Sequence, residues 1–138
     1  MRLCDETVTV YNARVDPVTR AEVWTPTVLR GVSWRAESAS RVEHDGLRAA
    51  NGFTLRIPEA VDAGGKDWVE PKAYQTAGDI GKLWTLQKGD VIMRGSVSGD
   101  LSPARLCEIY GAERVMTVLG VSDNRRARHA RHWRVTGA

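Results

Sequence analysis

At 138 residues, 42% hydrophobic and 27% charged, the chain has the size of one domain with one apolar core, which leaves no room for a second full domain. No run of 18 apolar residues occurs and the N-terminus lacks the apolar stretch of a signal peptide, arguing against a spanning helix and against secretion and predicting a chain kept in the cytosol. The net charge of +3 is uneven: residues 1–100 carry 13 basic and 14 acidic side chains and residues 101–138 carry 7 and 3, so a neutral body ends in a basic segment.

Apolar residues alternate with a period of two in several places, the mark of strands with one face on a core. Thr7-Val8-Thr9-Val10-Tyr11 is the first. Asp16-Pro17-Val18-Thr19 then has turn chemistry, an Asp able to bond its own backbone and a Pro that presets φ, and predicts a hairpin to Glu22-Val23-Trp24. Thr27 to Ala36 reads as a longer strand with Val28, Val32, Trp34 and Ala36 on one face and Arg30 interrupting it. Pro26 cannot donate to a ladder and marks a strand start or an edge. Residues 46–52 read as a loop joining Ala39–Glu43 to Phe53-Thr54-Leu55-Arg56-Ile57, the clearest strand, which Pro58 stops.

Between Glu59 and Lys82 the pattern dissolves among Gly64, Gly65, Pro71, Gly78 and Gly81, predicting a long irregular excursion (about 59–82) with one helical turn near Lys72–Gln75. Leu83–Leu86, a turn over 87–90 and Val91–Gly95 read as strand, turn and strand. A short helix is predicted over 103–110, with Ser102 as cap, Pro103 at its first position, Gly111 just past its end and Leu101 stapled on Leu106; Leu106, Ile109 and Tyr110 share its face. Val115–Val121 and Trp133–Val135 complete the set, separated by a turn at Ser122-Asp123-Asn124. The fold class expected is mainly β, a small β-barrel or sandwich of about seven or eight strands in one domain spanning 1–138, since parallel crossovers would need more helices.

Residues suited to chemistry are few. His129 and His132 have an i, i+3 spacing that could seat a metal on a helix, but arginines surround them and no Cys or carboxylate cluster stands beside them, so neither a metal nor another cofactor is expected. His44 beside Asp45 reads as a turn residue, and Cys4 and Cys107 as separate buried thiols. None of the nucleophile-elbow, zinc-helix or glycine-loop motifs occurs, and adjacent carboxylates such as Asp5-Glu6 point to opposite faces of a strand, so the chain reads as no enzyme.

The densest charge lies in Asp123 to Arg134, where Arg125, Arg126, Arg128, Arg131 and Arg134 could neutralise phosphates with Trp133 offering a stacking face, could meet carboxylates across a protein interface, or could form a solvated loop. Five Trp stand against one Phe; Trp34 or Trp84 suits the core, whereas Trp68 in the excursion reads either as an interface anchor or as an indole pinned to its own domain.

The segments Cys4–Asn12, Thr25–Trp34, Phe53–Pro58, Gly89–Gly95, Val118–Arg126 and His132–Ala138, taken in that order, resemble a family of small structural proteins of tailed bacteriophages and prophages, often called minor capsid or head-tail connector proteins. The resemblance spans nearly the whole chain and implies a place at the head-tail interface of a virion, assembled in the host cytoplasm. It suggests a head-closure (stopper) ring of identical copies, bound to portal or adaptor proteins above and tail-terminator or tail-tube proteins below, retaining packaged DNA. The family carries no catalytic residues to transfer. On this reading Trp68 and Tyr74 are candidates to reach a neighbouring subunit, and Arg125, Arg126 and Arg128 to meet acidic partner residues or line the DNA channel. A tail-completion or tail-terminator protein is the near alternative, and a barrel-type nucleic-acid-binding module the distant one.

Overall fold

The computed structural model describes residues 6–16, 18–43, 46–78, 80–96, 103–111 and 114–138. Its strands are β1 (Glu6–Val15), β2 (Glu22–Glu43), β3 (Gly46–Pro58), β4 (Asp67–Trp68), β5 (Leu83–Trp84), β6 (Val91–Arg94), β7 (Val115–Asp123) and β8 (His132–Gly137), with helices α1 (Pro71–Thr76) and α2 (Pro103–Tyr110). Six strands close into an antiparallel barrel in the order β1-β2-β3-β8-β7-β6, β6 returning to β1, so the fold is mainly β as expected and, of the barrel and the sandwich, the barrel is what forms. Closure gives every strand of the ring a paired neighbour on each side over part of its length. Among the described residues no helix is long and apolar enough to cross a membrane.

The barrel interior is filled by the inward-facing alternate residues, Val8 and Val10 of β1, Leu55 and Ile57 of β3, Ile92 of β6, Val118 of β7 and Val135 of β8, each with no exposed surface. Trp34 and Trp84 are both in this core. A second, smaller core lies outside the ring, where Leu106 of α2 packs on Tyr11, Met93 and Val115. Pro103 starts α2 and Gly111, at φ 90°, follows it as expected, but Ile109 is 49% exposed, so the buried face of the helix is Leu106 with Tyr110.

Three expectations for the strands need correction. Among the β2 residues whose side chains are described, Thr27, Leu29, Val32 and Trp34 are buried, whereas Val28 is only partly buried; the side chain of Ala36 lies outside the described set. The pairing steps from Glu6↔Val32 to Thr7↔Arg30, leaving Gly31 unopposed at φ 91°, a bulge that resets which side chains point inward. Residues 46–52 are strand, not loop: β2 and β3 stay paired from Ser33↔Arg56 to Glu43↔Gly46. Finally, β5 pairs in parallel with β4 of the excursion and forms no hairpin with β6.

The Asp16 turn forms as its chemistry predicts, Oδ1 accepting from the amides of Val18 (2.8 Å) and Thr19 (3.2 Å), and these bonds hold the carboxyl below its ordinary pKa. Ser102, Leu101, Cys4 and His44 lie outside the described residues, as does the side chain of Cys107.

Candidate functional site at one end of the barrel

Where β7 ends and β8 begins, the inward-facing positions Val121, Asp123 and Trp133 meet the excursion between β3 and β6. Trp68, brought there by the short β4–β5 ladder, lies 5.2 Å from Trp133 centroid to centroid, and Trp84 meets Trp133 edge-on at 5.3 Å. The excursion is therefore folded against the barrel end, and large apolar rings hold it there.

Arg125 reaches back from the β7–β8 connection over these rings, its guanidinium carbon 4.3 Å from the Trp68 centroid and 4.9 Å from that of Trp133. Asp123 orients it: Arg125 Nε donates to Oδ1 at 2.9 Å and Nη2 to Oδ2 at 2.8 Å, a two-pronged pair. The Arg125 amide also donates to Asp123 Oδ1 at 3.1 Å, so a local turn presets the geometry. Bonding from the Arg125 side chain is the chief cause holding the Asp123 carboxyl below its ordinary range, and the same pairing raises Arg125. A cavity of about 340 Å³ beside this cluster is lined by Trp68, Glu70, Lys72, Leu86, Val121 and Asp123, among others. The cluster is a stacking platform with a fixed cation; its carboxylate is already engaged by arginine and has no strongly basic lone pair to offer a substrate.

The five candidate residues fall into three environments. Trp68 and Arg125 are in contact, and the Trp68 indole is partly buried against the barrel core. Tyr74, expected to reach a neighbouring subunit, is instead fully buried on α1, and burial raises its phenol pKa. As placed it presents no surface to another chain. Arg126 and Arg128 are exposed on the β7–β8 connection. That connection is not helical, so the His129/His132 spacing does not put two imidazoles on one helix face; His132 Nδ1 is bonded to the Ala130 carbonyl. Among the described residues no group of three His, Cys, Asp or Glu is arranged to hold a metal ion.

The sequence reading missed a polar cluster at a different part of the barrel. Asp90, 2% exposed, accepts at Oδ2 from Asn12 Nδ2 (2.8 Å) and Gln87 Nε2 (2.9 Å) and at Oδ1 from the Ala13 amide (3.1 Å). The signal was present in β1, where Asn12 continues the inward phase of Val8 and Val10 and a polar side chain on a core-facing position demands a partner. Burial is the dominant influence on Asp90 and raises its pKa against the opposing effect of its three hydrogen bonds. A cleft of about 340 Å³ lies over it, with Arg14, Glu22 and Lys88 at its walls.

Removing the Trp68 indole should uncouple the excursion from the barrel end. Trp68→Ala is expected to destabilise the isolated chain by about 2 kcal/mol, from lost apolar burial and the two ring contacts. Arg125→Ala should cost about 1 kcal/mol because the ion pair is partly exposed. Urea unfolding of the two variants checks both values, and an unchanged midpoint for Trp68→Ala would show that the ring contributes nothing to the monomer.

Comparison with known proteins matches no curated protein and no solved structure. A family model does match, over residues 3–138: this chain belongs to a family of unknown function (DUF6751).

Proposed function

We propose that this chain is a structural subunit of a tailed-phage or prophage virion neck, a head-closure or head-tail connector protein that assembles with copies of itself into a cyclic ring, helps retain packaged DNA and joins head to tail. The ordered set of sequence segments supports the placement. The structural observation that carries it is the β2–β3 ribbon. β1 pairs with β2 only as far as Val32, and β8 pairs with β3 only from Phe53 onward, so residues 37–43 and 46–52 pair with each other alone among the described strands.

Seven ladder positions at about 3.3 Å each give an arm roughly 20 Å long with hydrogen-bonding edges on both sides. A ring needs two unlike, mutually complementary surfaces on every copy, and an arm on a compact barrel supplies that asymmetry. Strand addition along the arm is a mode of contact that demands backbone geometry more than particular side chains. Portal or adaptor proteins on one side and tail-terminator or tail-tube proteins on the other complete the assembly.

The test is imaging of virions made without this protein. Filled heads that lose DNA and carry no tails are the expected result. Sealed, filled heads with attached tails of abnormal length would overturn head closure and place the protein at the tail terminus.

A further inference from the structure

The outer wall of the barrel has two halves of different character. On one, α2 covers Tyr11, Met93 and Val115 of β1, β6 and β7. On the other, formed by β2, β3, β8 and the end of β7, the inward phase is set by Trp34, Leu55, Ile57 and Val135, so the intervening residues point outward. There the register places Arg56 of β3 directly opposite Arg134 of β8, with Ser33 of β2 beyond the one and Ser122 of β7 beyond the other. Two residues along, Arg35 pairs with Thr54, and Thr54 with Thr136. All three arginines are exposed.

Like charges at directly opposed ladder positions repel, and neither of these two rows holds a carboxylate. The ion pairs of the described residues are Arg94–Glu6 and Arg125–Asp123, neither of which involves Arg35, Arg56 or Arg134. Asp123 is on the inward phase with Trp133 and already holds Arg125. Arg30, further along β2, is held by backbone bonds to Asp62 across an isolated bridge. Two neighbouring rows thus hold three unpaired guanidinium groups and four hydroxyls, within about 10 to 15 Å at ordinary strand and residue spacings.

This composition discriminates between partners. A protein interface is anchored by buried aromatic or aliphatic side chains, and the two rows hold none. Arginines interleaved with Ser and Thr hydroxyls are the donor set that contacts phosphate oxygens, whose negative charges recur at regular spacing along a nucleic-acid strand. We propose that the outer face of β2–β3–β8 binds the phosphate backbone of duplex DNA without reading its bases. Arg126 and Arg128 are exposed on the connection that leads into β8. The inference goes beyond the virion reading and does not depend on it, since it concerns the isolated chain.

Fluorescence anisotropy of a labelled 20-base-pair duplex of arbitrary sequence, titrated with the full-length protein between 20 and 150 mM NaCl, tests this. The plot of log affinity against log salt should fall with a slope of about −3 or steeper, the release expected for three or more phosphates. The triple substitution Arg35→Gln, Arg56→Gln, Arg134→Gln should weaken binding at least tenfold at 20 mM NaCl and flatten the slope, while leaving the melting temperature unchanged or higher because repulsion is relieved. Arg20→Gln, Lys82→Gln, Arg114→Gln removes the same charge from exposed positions off these rows and should change affinity less than twofold. The proposal is overturned if no binding occurs at 20 mM NaCl, if this control variant loses as much as the Arg35, Arg56, Arg134 variant, or if labelled polyglutamate binds more tightly than the duplex, which would assign the face to an acidic protein.

Discussion

Asn12→Ala should lower the melting temperature by about 10 °C, the equivalent of about 3 kcal/mol in a chain of this size. The side chain ties β1 to the segment leading into β6. Its Nδ2 donates to the Thr85 carbonyl and to Asp90 Oδ2, both at 2.8 Å, and its Oδ1 accepts from the Thr85 amide at 3.1 Å. Asn12, Thr85 and Asp90 are at most 2% exposed, so truncation strands a backbone amide, a carbonyl and one carboxylate acceptor site away from water. Each stranded group costs about 1 to 3 kcal/mol, which is why this effect exceeds that of deleting an exposed ion pair such as Arg94–Glu6. Thermal unfolding checks it; a loss under about 1 kcal/mol would mean that water enters and replaces the amide.

The same cluster has a pH signature. Burial holds the Asp90 pKa above its ordinary value in the folded chain, so the folded state binds that proton more tightly than the unfolded state does. The stability contributed by this residue is then fully present below its unfolded pKa and is lost as the pH rises through the folded one. The penalty of Asp90→Ala should accordingly grow as the pH is lowered from 7 toward 4, as read from denaturant midpoints across that range. An exposed, ion-paired aspartate such as Asp123 should show the opposite trend, because its pKa is depressed.

Gly137→Ala is expected to destabilise the barrel by about 2 to 3 kcal/mol, through overpacking instead of a cavity. Gly137 is the last residue of β8, opposite Phe53 on one side and Val118 on the other, where β7 carries a register irregularity between Val118 and Gly120. A Cβ there would meet the Thr117 carbonyl oxygen, with Met116 Sδ at 3.0 Å and the Thr117 carbonyl carbon at 3.2 Å. Two of these three atoms are backbone and cannot rotate away, so β8 must move off β7. That displacement breaks the reciprocal bonds between Thr117 and Ala138 (3.0 and 3.2 Å) that seal this end of the seam. Gly52→Ala is the matched control: its nearest neighbour would be the Gly137 carbonyl oxygen at 3.9 Å, an ordinary contact, and its midpoint should shift by less than about 0.5 kcal/mol. Equal losses for the two variants would mean that backbone freedom, not space, decides both.

How much of the site was legible depended on how local its cause was. The Arg125 cluster was half visible. An arginine-rich run beside Trp133 announced guanidinium and ring in one segment, and Asp123 two residues before Arg125 is close enough for a turn to join them. Trp68 is 57 positions before Arg125 in the chain, and only the β4–β5 ladder brings its ring beneath the guanidinium. Tyr74 reads as a loop aromatic because its surroundings in sequence are polar, yet α1 turns it inward and leaves it no exposed surface. The Arg56–Arg134 row was invisible for the same reason. Each residue is an unremarkable outward position on its own strand, and the repulsion exists only in the register between the strands.

By itself the amino-acid order determined the elements whose causes lie within a few residues: the alternation of Phe53, Leu55 and Ile57, the Asp16 turn, and α2 between Pro103 and Gly111. Periodicity, side-chain bonds to neighbouring amides and ring-fixed φ act at that range. Tertiary structure alone decided that β6 closes on β1, that Gly31 shifts the buried set of β2 from Val28 to Leu29, that residues 46–52 are strand, and that Asn12 finds Asp90. A ladder is satisfied only by a partner, and a side chain is buried only by what folds over it, so these outcomes depend on residues tens of positions away.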